Sequence, residues 1–353
     1  MKSIKKLTLV IFSLLFALSA CSKDQTSVLE EGPFKVGLLL DNLGLEDNSI
    51  NDSTYAGLIQ FSENTGVELL VEQASNEEVY LRRAQDLVDD GAKLIFGPGY
   101  ALVDTMVEAA IANPKATFVS IDGVFDEKTM PHNLIGVNFR NQELAFVAGY
   151  IAGNYTQTNR VSYIGSMQGF LTDQDRFGFE AGVYEAGKEL SKQIRVDSNY
   201  IDSYTDDIKA REITNKVIED TADVIYADGA GASLAIMETA SRLGKKSIGK
   251  EEDFSNFYKD SVLTSTIKEY GVVAKDLSEK FMAGNIQAPA NFSYGMAERA
   301  FSYIYKGEED ANISSDLNAK AQSIIQAISS GDIKPPYNQE TYDQYTQEVD
   351  EGA

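Results

Sequence analysis

Apolar residues in this chain fall into short continuous runs, and between the runs they recur at helical spacing. Phe34-Lys35-Val36-Gly37-Leu38-Leu39-Leu40 has the length of a strand and stops at Asp41. The pattern then predicts a helix over about Asn51–Asn64, a strand over Val67–Val71, and a helix over Glu77–Asp90 with Val79, Ala84, Leu87 and Val88 on its apolar side. A strand at Lys93–Phe96 closes on Gly97-Pro98-Gly99; a helix at about Leu102–Ala112 and a strand at Thr117–Ile121, ending at Asp122, follow. The alternation then restarts. Strands at Val161–Ile164, Ile194–Ile201 and Val224–Ala227 alternate with helices over Arg176–Leu190, Ile208–Glu219 and Ser233–Leu243. Ser247-Ile248 and Val262–Thr266 read as two further short strands, Val272–Met282 and Ala319–Ser329 as helices, and Tyr337–Ala353 as a loosely packed acidic tail. Continuously apolar strands between amphipathic helices form parallel sheets covered on both faces. Two such halves predict an α/β protein with two doubly wound parallel-sheet lobes around a ligand cleft.

The first residues follow a different pattern. Lys2, Lys5 and Lys6 precede an almost wholly apolar run, Leu7–Leu18, too short for a comfortable membrane span. Leu18-Ser19-Ala20-Cys21 resembles the bacterial lipobox, in which the chain is cut before a lipidated cysteine. Residues 1–20 therefore read as a lipoprotein signal peptide, Cys21 as the lipid attachment, and 21–32 as a flexible tether holding the folded part outside the cytoplasm at the cell membrane.

Composition narrows the chemistry. Acidic residues outnumber Lys and Arg by 54 to 31, for a net charge of -23, which repels nucleic-acid phosphates. One cysteine allows no internal disulfide, and one histidine allows no multi-histidine metal site. No Gly-x-Ser-x-Gly elbow or Walker loop is present, and His132 follows Pro131 in a polar loop, so neither an enzyme nor a resident cofactor or metal is expected. Ligands of open α/β sheets bind beyond the carboxyl ends of the strands. That rule selects Asp41 and Asn42, Gly97–Tyr100, Asp122, Ser166 and Met167, Asp202–Asp207, and Asp228–Gly231. Any one of these acids also suits a helix cap or turn, so the set carries more weight than its members.

Several segments carry a family resemblance. After the strand ending in Asp41, Asn42-Leu43-Gly44-Leu45-Glu46-Asp47-Asn48-Ser49-Ile50-Asn51 resembles the opening signature of the basic membrane protein family of bacterial lipoproteins, Asp-x-Gly-Gly-Ile-x-Asp-x-Ser-Phe-Asn. Phe118–Asp122, Phe139–Glu143 with Ala148-Gly149, Phe179–Gly182 with Ala186-Gly187, Asp223–Gly231, and Val262–Lys268 resemble later elements of that family in the same order. The family includes purine nucleoside receptors that are binding components of ABC importers, so the resemblance implies a type I periplasmic-binding-protein-like fold. It also implies roles. Tyr204 resembles one ring of an aromatic pair that sandwiches the base, and the other ring position falls on Ile50. Asn51 and Asp122 would meet the base edge. Glu251, where an Asp is usual, and Lys268 would hold the ribose. Lys250 and Phe254 stand in place of the family's Val and Gln. The implied ligand-binding set is Asp41, Asn42, Asp47, Ser49, Ile50, Asn51, Asp122, Phe139, Tyr204, Asp228, Gly229, Glu251, Asp253 and Lys268. The implied domains are 33–140 with about 267–290, and 141–266 with about 291–336, followed by the tail 337–353. The implied protein is a lipid-anchored monomer that binds a nucleoside, purine favoured, and docks on ABC permease subunits. A regulatory or sensory surface lipoprotein of the same family, with an altered or lost nucleoside site, is the alternative.

Overall fold

The computed structural model describes residues 33–307 and 312–351, so the expected signal peptide, Cys21 and the tether 21–32 lie outside the described residues. Its strands are β1 (Lys35–Leu40), β2 (Glu68–Gln73), β3 (Leu94–Pro98), β4 (Thr117–Ile121), β5 (Leu134–Phe139), β6 (Arg160–Gly165), β7 (Arg195–Tyr200), β8 (Val224–Asp228), β9 (Lys246–Lys250), β10 (Val262–Lys268), β11 (Ala290–Tyr294) and β12 (Phe301–Tyr303). Its α-helices are α1 (Ile50–Thr65), α2 (Tyr80–Asp89), α3 (Val103–Ala112), α4 (Asn141–Tyr155), α5 (Phe170–Leu190), α6 (Asp207–Glu219), α7 (Ser233–Arg242), α8 (Tyr270–Met282), α9 (Ser315–Ser330) and α10 (Gln339–Glu351).

The strands form two six-stranded sheets of matching topology, ordered β11-β5-β4-β3-β1-β2 and β12-β10-β9-β8-β6-β7. The apolar runs take the middle. β1, β3, β6 and β8 are buried almost throughout, whereas the mixed sequences of β2 and β7 take the edges. Every pairing is parallel except that of β12 with β10. Among the described residues no helix is long and apolar enough to cross a membrane.

The chain passes between the sheets after β5, after β10 and after β11. Arg140 ties two of these crossings together. Its backbone N–H donates to the Tyr294 carbonyl at 2.8 Å, and its guanidinium reaches the Ser293 carbonyl at 2.7 Å and the carboxylates of Glu143 and Glu298 at 2.5 Å each. Glu143 in turn accepts from the Met296 N–H at 2.6 Å. The third crossing is held by the Glu269 N–H, which donates to the Ala300 carbonyl at 2.8 Å. The lobe boundaries expected near 267 and 291 fall inside β10 and β11; each strand is kept whole in its sheet and the chain crosses just beyond it.

Other segments depart from expectation. β5, α4, β11 and β12 have no counterpart in the periodicity reading, because α4 is buried on nearly every side and carries no polar stripe. The tail is a docked helix, α10, whose Tyr342 and Tyr345 rings lie 5.9 Å from those of Phe177 and Phe146. Glycines let α4 and α5 approach closely. A Cβ on Gly149 or Gly182 would fall 2.0 Å from the carbonyl oxygen of Phe179 or Phe146, respectively.

Candidate functional site

Strands β4, β6, β8 and β9 run parallel in their sheets and release the chain toward one opening, a cleft of about 590 Å³. Ser49, Tyr100 and Asp122 line it from the first lobe, Asn141 from the crossing, and Asp175, Tyr204, Asp228, Lys250, Glu251 and Lys268 from the second.

Its floor holds two adjoining ion clusters. In one, the Lys268 ammonium lies 3.0 Å from Glu251 Oε1 and 3.7 Å from Asp122 Oδ1. The Phe139 and Tyr270 rings, themselves edge to face at 5.3 Å, stand 5.2 and 5.7 Å from the same ammonium. Asp122 and Glu251 each sit one residue past a strand end with φ of 66° and 72°, a left-handed geometry that is uncommon outside glycine and clusters at functional sites. Burial opposes charge on Lys268, but Asp122, Glu251 and Asp175 outweigh it and raise its pKa. Burial raises Asp122 against the pull of Lys268, whereas for Glu251 the two lysines overcome burial and lower it.

In the second cluster the Lys250 ammonium bridges two carboxylates, Asp175 Oδ2 at 2.7 Å and Asp228 Oδ1 at 2.8 Å. Asp228 Oδ2 accepts from the Tyr163 hydroxyl at 2.6 Å, so both of its oxygens are engaged. Asp175 is 1% exposed, and burial, partly offset by Lys250, pushes its carboxyl up to about 7. The same two carboxylates raise Lys250 well above its ordinary value despite burial.

The expected site residues divide between the cleft and its supports. Ser49, Asp122, Tyr204, Asp228, Glu251 and Lys268 meet in the cleft, and Phe139 lies beneath Lys268. The others serve the loops behind it. Asp47 accepts from the backbone N–H groups of Ser49, Asn51 and Asp52 at 2.9–3.1 Å and so caps α1. Asn51 is fully buried, and its side-chain amide donates to Asp41 Oδ1 at 2.8 Å and to the Gly44 carbonyl at 3.0 Å. Asn42 accepts from the Tyr80 hydroxyl at 2.7 Å. Ile50 opens α1 and is half-buried. The Gly229 N–H donates to Ser233 Oγ at 3.0 Å. Asp253 caps its own turn through the Ser255 N–H and pairs with Lys306 at 3.1 Å.

Asp175, Asn141 and Lys250 were not singled out as ligand contacts from sequence. Lys250 carried a signal, a lysine closing the apolar strand Ser247-Ile248-Gly249. Asp175 and Asn141 carried none, because each is one polar residue among several near a helix start. Tyr100, 83% exposed at the rim, belongs to the loop after β3 that the strand-end rule had selected.

The model of a family described as "ABC transporter substrate-binding protein PnrA-like" matches residues 34–339. Basic membrane protein A of Borreliella afzelii is 30% identical to the chain, over 91% of this chain and 97% of that protein. Among solved structures, a transcriptional activator of the comK gene from Bacillus halodurans superposes with a TM-score of 0.70 at 23% identity, covering 86% of this chain and all of that one. A solute-binding protein of an ABC transporter system from Aeropyrum pernix gives 0.67 at 18% identity, covering 91% and 98%. At those identities the structures show the two-lobed α/β fold alone.

Proposed function

The chain belongs to the PnrA-like ABC transporter substrate-binding proteins, and from that premise we propose that it binds a nucleoside reversibly between its lobes, on the extracytoplasmic face of the membrane, and presents it to an ABC permease. In this reading it is a monomer anchored through lipid on Cys21. The observation that carries the reading is the first ion cluster. Glu251 and Lys268, the pair that the resemblance assigns to a ribose, lie 3.0 Å apart on the floor of the cleft, with Asp122 beside them. A carboxylate can accept from vicinal hydroxyls while an ammonium donates to them. Tyr204, 61% exposed at the rim, offers a ring face for stacking, worth roughly 1–3 kcal/mol per base. The position expected to supply a second ring holds Ile50, and Tyr100 is the exposed ring that the first lobe brings to the same cleft.

A panel of nucleosides, free bases and sugars in a thermal-shift assay tests this. At a hundred times its dissociation constant a nucleoside raises stability by about 2.7 kcal/mol. Tyr204→Ala removes the shift while leaving the unliganded protein within about 0.5 kcal/mol of wild type, as for other exposed positions, and Lys268→Ala also removes it. Absence of a shift with every nucleoside at millimolar concentration refutes the nucleoside reading. The regulatory reading draws on Lys250, which already occupies two cleft carboxylates; it predicts either no small ligand or a bound ligand without associated uptake.

A further inference from the structure

The charged groups of the cleft are mostly acceptors. Its lining carries five carboxylates, Asp122, Asp175, Asp228, Glu251 and Glu252, against two ammonium groups, Lys250 and Lys268. Both lysines are already engaged with carboxylates, Lys250 on Asp175 and Asp228 and Lys268 on Glu251. Within this lining two buried side-chain oxygens have no hydrogen-bond partner: Asp175 Oδ1 and Asn141 Oδ1. Both residues are more than nine-tenths buried, at 1% and 4% exposed. Leaving a buried acceptor unmatched is costly, more so when it is charged, and a polar group kept in that state in a ligand cleft calls for a partner from the ligand. The other oxygen of Asp175 is fixed by Lys250 at 2.7 Å, which holds the carboxylate in place. Asn141 opens α4, directly after the Arg140 crossing, which places its backbone at the edge of the cleft.

Two acceptors in a site with surplus negative charge are matched by a group that only donates. An amino group supplies two N–H bonds; a carbonyl supplies none and meets both oxygens with its own lone pairs, and a hydroxyl supplies one. We propose that the cleft selects ligands carrying a donor-only amino group, seated against Asp175 Oδ1 and Asn141 Oδ1. With the nucleoside reading above, on which this form of the inference rests, the substrate class narrows to amino-bearing nucleosides over their oxo counterparts. Asp175 and Asn141 then set specificity, while Glu251, Lys268 and Tyr204 hold parts common to all nucleosides.

Matched pairs test this by isothermal titration of the full folded chain at pH 8: adenosine against inosine, and cytidine against uridine, with glucosamine against glucose as a pair independent of any base. The amino member of a bound pair binds at least tenfold tighter to wild type. In Asp175→Asn, where Lys250 keeps Asp228, that preference falls to within about threefold while affinity for the oxo member changes little. Asn141→Ala gives the same loss of preference if Asp175→Asn fails to fold. Equal or tighter binding of inosine and uridine overturns the inference and leaves the nucleoside reading standing, as does full preference retained in both variants. Binding of glucosamine over glucose with no nucleoside bound refutes the nucleoside reading and supports the amino selectivity. No binding by any member of the three pairs overturns both.

Discussion

Lys250 stands where the family resemblance calls for a valine, and its ammonium lies within 2.8 Å of two buried carboxylates. Removing one member of a buried ionic cluster strands the rest, a loss that typically reaches about 3–5 kcal/mol. Lys250→Val is therefore expected to lower unfolding stability by that order in urea titrations at pH 8, and by less at pH 5, where Asp175 holds its proton. The sign for Asp175 itself follows from its folded pKa of about 7, raised by burial against the pull of Lys250. Lys250 of β9, Asp228 and Tyr226 of β8, Tyr163 of β6 and Lys268 of β10 are the charged and titratable groups that act on it. A carboxyl raised on folding binds its proton more tightly in the native state, so its contribution to stability falls as pH rises from about 4 to about 7. Asp175→Asn removes that decline, and the stability difference between variant and wild type is expected to move in the variant's favour between pH 5 and pH 8. A difference that does not change with pH contradicts the raised carboxyl.

At the level of elements, glycine controls how the lobes' helices meet. Gly182 of α5 faces the Phe146 carbonyl of α4 so closely that a methyl group has no room. Gly182→Ala is expected to force the pair apart and lower the urea midpoint, at a cost of about 1–3 kcal/mol typical of overpacking, with far-UV circular dichroism unchanged. The closing helix gives a second test. Tyr342 and Tyr345 of α10 pack on Phe177 and Phe146, and ring pairs of this kind add about 0.5–1.5 kcal/mol each beyond the area they bury. Ending the chain at Asn338 should lower stability by at least about 1 kcal/mol in denaturant titrations, whereas a loosely packed tail would be lost without effect. The sequence of this segment is acidic and short of aliphatic residues, which concealed its docking. The apolar contribution comes from two tyrosines three residues apart, and only the surface of α5 and α4 gives them something to cover.

For the molecule as a whole, the two sheets are joined by crossings that meet at Arg140, Glu143 and Glu298, and the cleft takes side chains from both lobes and from the crossing itself. A ligand gripped from both sides favours the closed arrangement by its differential affinity for it. Small-angle scattering is expected to show a smaller radius of gyration with saturating ligand than without, and an unchanged radius in the presence of a proven ligand would argue against closure. What the sequence determined by itself is the doubly wound architecture. Apolar runs such as Leu38–Leu40 and Val224–Ala227 can be satisfied only inside a covered parallel sheet, and strand ends then mark the cleft, which is how Asp122, Tyr204 and Asp228 were legible; Glu251 and Lys268 were read only through the family resemblance. The tertiary structure alone showed Asp41, Asp47, Asn51 and Asp253 turning side-chain atoms into caps and loop bonds. It alone brought Asn141, Asp175 and Lys250, which lie far apart along the chain, to one floor. Periodicity reports which side of an element is buried; which buried polar groups find a partner depends on contacts between elements, and no local pattern records them.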